Sequence, residues 1–283
     1  MIYLDKLYAL REKIPQILRK ILPKLIRRKI NQKFFRYYFL PTELKSLPKS
    51  NYPDKESYEY QENLIYKFNL EKKQTSFMTY PNLIELLKKN FDLKNDMKFL
   101  DIGGERIDFY LDLNKNFKNM EYYIFNIKSM IEPFRKIKLK FDYKNFHIID
   151  KEEDIFKINF NFINFGSCVQ YFDKYEKLLN EITNNSNYIF FSGTHLYDTL
   201  EKKFDKHIIV KQVNLLPNEN FLYLFNRRNF FQIFYKKNFE LVFEEENLTD
   251  KVNYDNFKDN FINIKYSDFL FKKNKLSLVL NFN

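Results

Sequence analysis

Only four glycines occur in the 283 residues, and each follows a short apolar run with the length and composition of a β-strand. Gly103 and Gly104 follow Lys98-Phe-Leu-Asp-Ile102, Gly166 follows Phe160-Asn-Phe-Ile-Asn-Phe165, and Gly193 follows Tyr188-Ile-Phe-Phe-Ser192. Glycine tolerates positive φ and close backbone approach. Open α/β sheets bind ligands beyond the carboxyl ends of their strands. The four glycines therefore predict one ligand-binding edge.

Strand-like and helix-like runs alternate along the body, the pattern of a largely parallel sheet with crossover helices. The runs predict strands near 98–102, 121–126, 145–149, 160–165, 188–192, 239–244 and 276–282. They predict helices near 105–117, 129–138, 173–184, 197–204 and 226–237. Seven strands ending in an antiparallel hairpin suggest a Rossmann-like class I methyltransferase sheet rather than a dinucleotide fold. Aromatics make up 19% of the chain and Trp is absent, so Phe and Tyr must fill much of the core.

The net charge of +11 is concentrated at one end. Residues 1–40 carry eleven Lys/Arg against Asp5 and Glu12, which leaves the rest nearly neutral and unlike a nucleic-acid binder. Ile14, Ile17, Leu18, Ile21, Leu22, Leu25, Ile26 and Ile30 follow the spacing of one helical face, with Pro23 interrupting it. Such a basic amphipathic helix suits an anionic membrane surface, packing against the body or a partner, or RNA contact. The pattern alone does not separate these. The expected organisation is a basic extension (1–40), a linker and helical lead-in (41–95) with Pro41, Pro48 and Pro53, and an α/β domain (96–283). The single cysteine, Cys168, excludes an internal disulfide and suits a reducing cytoplasm. No multi-Cys zinc site is possible, and no uncharged run is long enough to span a bilayer.

Phe99-Leu-Asp-Ile-Gly-Gly104 resembles motif I of S-adenosylmethionine-dependent methyltransferases. With Gly166-Ser-Cys-Val-Gln-Tyr-Phe-Asp173 and Thr194, it resembles a bacterial family of class I methyltransferases associated with surface-polysaccharide and lipopolysaccharide genes. The likeness runs from about residue 95 to 245. It implies S-adenosyl-L-methionine as cofactor and a sugar or other hydroxylated acceptor, with the enzyme working on the cytoplasmic side of a membrane.

On that resemblance Asp101 fixes the glycine turn through backbone amides or reaches the methionine ammonium through water, and Gly103 and Gly104 let the loop approach the cofactor. Asp150 accepts from the adenine, and Ser167 and Gln170 flank the methionine end. Two positions depart from the family. Glu105 stands where a second motif I glycine is usual, and Asn126 stands where a strand-end acid usually binds the ribose. Glu105 supplies the missing anion, or the site has degenerated into a binding or scaffold module. His195, just past the fifth strand, is the candidate general base, because imidazole titrates near neutrality. His147 and His207 fit structural roles and Cys168 a small core residue. The motifs of P-loop, zinc-protease, serine-hydrolase and NAD enzymes are absent.

Overall fold

The computed structural model describes residues 38–48, 58–71, 83–90, 96–199, 206–214, 218–247 and 262–274. The basic helix predicted within residues 1–40 lies outside the described residues, as does the strand predicted at 276–282. Strands β1 (Tyr38–Pro41), β2 (Met97–Ile102), β3 (Met120–Phe125), β4 (Phe146–Ile149), β5 (Phe160–Gly166), β6 (Ser186–Asp198), β7 (His207–Asn214), β8 (Asn218–Asn226), β9 (Phe239–Glu246) and β10 (Ile262–Lys273) form one sheet. Helices are α1 (Tyr58–Glu71), α2 (Leu83–Asn90), α3 (Ile107–Asn116), α4 (Lys128–Phe141), α5 (Glu152–Ile155), α6 (Tyr175–Ile182) and α7 (Arg227–Tyr235).

The central order is β4-β3-β2-β5-β6-β10-β9. The first five strands are parallel, and β10 enters antiparallel between β6 and β9. This is the strand order of a class I methyltransferase sheet, with its last strand inserted against the direction of the others. Strand side chains alternate between faces, and both faces are covered. Phe99, Phe162 and Phe190 join α1, α2, α3 and α4 in one core layer. Their neighbours Leu100, Ile163 and Phe191 join α6 and α7 in the other.

In-register parallel pairing places rings beside rings. Phe146, Tyr122, Phe99, Phe162 and Tyr188 form a ladder across five strands, with centroids 5.4, 5.6, 5.3 and 6.3 Å apart. On the opposite face Phe165 and Phe269 stack on either side of Phe191, each at 4.9 Å. Phe and Tyr thus build a tryptophan-free core.

Three features depart from the sequence reading. β10 at Ile262–Lys273 forms where no strand was predicted. Residues 197 and 198, expected to start a helix, finish β6 instead. His207–Asn214 and Asn218–Asn226 pair as antiparallel β7 and β8, which the sequence reading did not anticipate.

Long β6 explains the place of this pair. Its first half pairs with β5, ending at Gly166 opposite Ser192. Beyond that point Leu196 and Tyr197 pair with Phe225 and Asn226 of β8. β7 and then β1 extend this annex, so part of the predicted extension and linker is an edge strand of the body. The annex therefore stands beside the carboxyl end of β5.

Candidate functional site

The four glycines converge. Parallel registers set Ile102 beside Phe165 and Gly166 beside Ser192, so the turns after β2 and β5 lie beside Gly193 in the middle of β6. Gly103 has φ +79°, and a Cβ there would lie 2.6 and 2.7 Å from the Cβ and Sγ of Cys168. Gly193, at φ +53°, would bring a Cβ within 2.1 Å of the Tyr266 hydroxyl and 2.4 Å of Ser167 Oγ. These turns need glycine partly because the protein's own side chains fill the space.

Asp101 ends under the loop. The Tyr122 hydroxyl donates to its Oδ2 at 2.6 Å and Asn164 Nδ2 to its Oδ1 at 2.7 Å. A Cβ on Gly104 would lie 2.3 Å from Asp101 Oδ2. The two donors favour the carboxylate, but burial dominates and raises the carboxyl to about 7. The expectation that Asp101 holds backbone amides is corrected: its described partners are two side chains. Half-buried Cys168 donates to the Ile102 carbonyl at 3.1 Å, and desolvation pushes its thiol up, with Asp101 and Glu105 adding to the effect. It is a packing residue rather than a nucleophile.

Asn126 sits at the tip of β3. Its Nδ2 donates to the Gly104 carbonyl at 2.9 Å, and its Oδ1 accepts from Ile127 N at 2.7 Å. Glu105 is exposed at the loop crest, and its carbonyl accepts from Gln61 Nε2 at 2.7 Å. Asp150 is exposed after β4 and pairs with Arg135 of α4.

Ser167 adopts φ +52°, a conformation costly for a residue with a Cβ. Strain of this kind clusters at functional sites. Its hydroxyl lies 3.2 Å from that of Tyr266 on β10. Gln170 is buried, and its Nε2 donates to the carbonyls of Ser167 at 2.8 Å and Gly193 at 3.3 Å. Gln170 Oε1 and Thr194 Oγ1 are buried with no hydrogen-bond partner among the described residues. Such groups cost free energy unless something satisfies them.

His195 is the clearest correction. It is buried between the rings of Phe39, at 5.0 Å, and Tyr266, at 4.7 Å. Desolvation lowers it to about 3. An imidazole this weakly basic is a poor proton acceptor at neutral pH, and its place is a packing one. His147 stacks on Tyr123 at 4.6 Å and pairs with Glu121, while His207 meets the Tyr175 hydroxyl at 3.0 Å. Both have partners within the protein.

Sequence reasoning missed Gln61, Tyr122, Asn164 and Tyr266. The first lies in a segment read as lead-in, and the last on a strand, β10, that the sequence reading did not anticipate. Among the described residues no group of three or more His, Cys, Asp or Glu is arranged to hold a metal, and no helix is long and apolar enough to cross a membrane.

No protein-family model and no curated protein sequence matches the chain. Solved structures that resemble it include the N-terminal domain of EvdMO1 with SAH bound, at 10% identity and TM-score 0.49, covering 72% of this chain and 84% of that one. A S-adenosylmethionine-dependent methyltransferase from Clostridium acetobutylicum ATCC 824 matches at 10% identity and TM-score 0.46, covering 75% and 97%. CalS10, an amino pentose methyltransferase from Micromonospora echinaspora involved in calicheamicin biosynthesis, matches at 9% identity and TM-score 0.44, covering 74% and 97%.

Proposed function

We propose that the chain is a class I S-adenosylmethionine-dependent methyltransferase acting on a neutral hydroxylated acceptor, of which a sugar of cell-surface glycan assembly is the kind the sequence resemblance suggests. The convergence of all four glycines where the carboxyl ends of β2 and β5 meet the middle of β6, in a sheet of this strand order, is the observation that carries the reading.

The residues fit the amino-acid half of the cofactor. Buried, unpartnered Gln170 Oε1 is an acceptor suited to an ammonium or hydroxyl. The loop Gly103–Glu105, with Ser167 and Gln170, would hold that end. On the nucleoside side Asn126 and Asp150 already have partners in the loop and in α4, and Glu105 is the exposed carboxylate nearby. When bound, the cofactor supplies a methyl on a positively charged sulfur. The protein's task is to hold the acceptor in line and keep water out. With His195 buried and weakly basic, the Ser167–Tyr266 hydroxyl pair is the polar group best placed to orient an acceptor hydroxyl. The Ser167 and Tyr266 hydroxyls and the Gln170 amide are uncharged, which favours a neutral acceptor over an ionised one.

Asn126 and the buried His195 also support a second reading, a methyltransferase-like binding module without turnover. Incubation with S-adenosylmethionine and a panel of neutral sugars and sugar nucleotides separates the two. Enzymatic function predicts S-adenosylhomocysteine release above the spontaneous rate, together with a product heavier by one methylene. Release that never rises above that rate across the panel, despite cofactor binding, favours the module.

A further inference from the structure

Two side-chain amides grip successive carbonyls of the glycine loop. Asn126 Nδ2, at the tip of β3, donates to Gly104 O at 2.9 Å. Gln61 of α1, fully buried, donates through Nε2 to Glu105 O at 2.7 Å. Gln61 Oε1 also accepts from Ile107 N, in the first turn of α3, at 2.9 Å. One glutamine thus brackets residues 105–107. The intervening Arg106 is fixed too, by a bidentate ion pair to buried Asp108, 2.7 Å at its closer contact, and by the Tyr60 hydroxyl.

A trans peptide points its N–H opposite to its C=O. Gripping the carbonyls of residues 104 and 105 therefore fixes the N–H groups of Glu105 and Arg106, turning each away from its clamp. We propose that Gln61 and Asn126 are positioning residues that aim these two amides at hydrogen-bond acceptors of the bound cofactor. The inference rests on the methyltransferase reading. It also accounts for asparagine, rather than an acid, at the end of β3: a carboxylate has no proton to donate to Gly104 O and would repel it. Similarly, α1 belongs to the site although it precedes the motif by some forty residues of sequence.

The test uses the full chain and two near-isosteric variants, Asn126→Asp and Gln61→Glu. Each loses one donor and sets a carboxylate against a carbonyl. S-adenosylhomocysteine affinity is measured by calorimetry at a temperature where circular dichroism shows all three proteins folded. Each variant is expected to bind about tenfold more weakly, the equivalent of one lost hydrogen bond. A residue that only supports the fold would leave the affinity of folded protein unchanged. Asn126→Asp binding as tightly as the parent, or more tightly, overturns the proposal. Amide hydrogen exchange over residues 101–109 reads the same clamp without ligand. It should quicken in both variants while the β5 and β6 amides stay protected, and unchanged exchange overturns the proposal even if the parent binds no cofactor. Failure of the parent to bind would count against the methyltransferase reading instead.

Discussion

Gly103→Ala is expected to destabilise the protein by about 2–5 kcal/mol and to abolish cofactor binding. The backbone there has φ +79°, which costs a residue with a Cβ about 1–2 kcal/mol. The new methyl would meet Cys168 Cβ at 2.6 Å and Sγ at 2.7 Å, contacts that require movement. Overpacking of this kind costs about 1–3 kcal/mol. The two terms can be separated because the obstruction is one side chain. Cys168→Gly removes both offending atoms, so the double variant Gly103→Ala/Cys168→Gly should recover the packing part and keep the backbone part. Urea denaturation of the parent, both single variants and the double variant measures the coupling. An additive double variant would mean that the loop and Cys168 do not share this space.

Asp101 makes stability depend on pH in an unusual direction for an acid. Burial raises its folded-state value to about 7, against 3.8 for the unconstrained group. The folded protein therefore holds this proton more tightly than the unfolded chain. The associated stability is fully present below about pH 4 and is lost as pH rises through about 7. By linkage the difference approaches about 4 kcal/mol. Asp101→Asn removes the titration and can still accept from Tyr122, at a cost of about 1 kcal/mol if the Asn164 contact is lost. The variant should be somewhat less stable than the parent at pH 4 and more stable by a few kcal/mol at pH 8. Denaturation midpoints across that range check the crossing. Parallel curves would show that Asp101 ionises at no cost in the folded state.

The sheet was largely legible in the sequence, because fully buried parallel strands read as continuous apolar runs. β2 through β5 and β9 fell within a residue or two of their expected bounds, and the glycines lie together in space. The annex was not legible. β1 hides in a stretch whose prolines suggest a linker, and Pro41 is tolerated there because β1 sits at the sheet edge. β7 and β8 exist because β6 outruns β5 and offers an unpaired edge, a property of register rather than of local pattern.

At the site, residue types were easier to pick than their jobs. Asp101, Asn126, Ser167 and Gln170 all lie at the glycine edge, yet most of their described bonds are internal. His195 looked catalytic because the fifth strand was expected to end at Ser192, whereas β6 runs on through it. Its burial depends on Phe39, more than 150 residues away in sequence, and on Tyr266. Gln61 carried no signal at all, since a lone glutamine in a helical segment resembles any solvated residue until tertiary contacts bury it.

The central claim is that this glycine edge binds S-adenosylmethionine. Isothermal titration of the full chain with S-adenosylhomocysteine tests it most directly. The account predicts one site per chain with a micromolar dissociation constant, lost in Gly103→Ala at a temperature where that variant is still folded. Absence of binding to folded parent protein at millimolar ligand would contradict it.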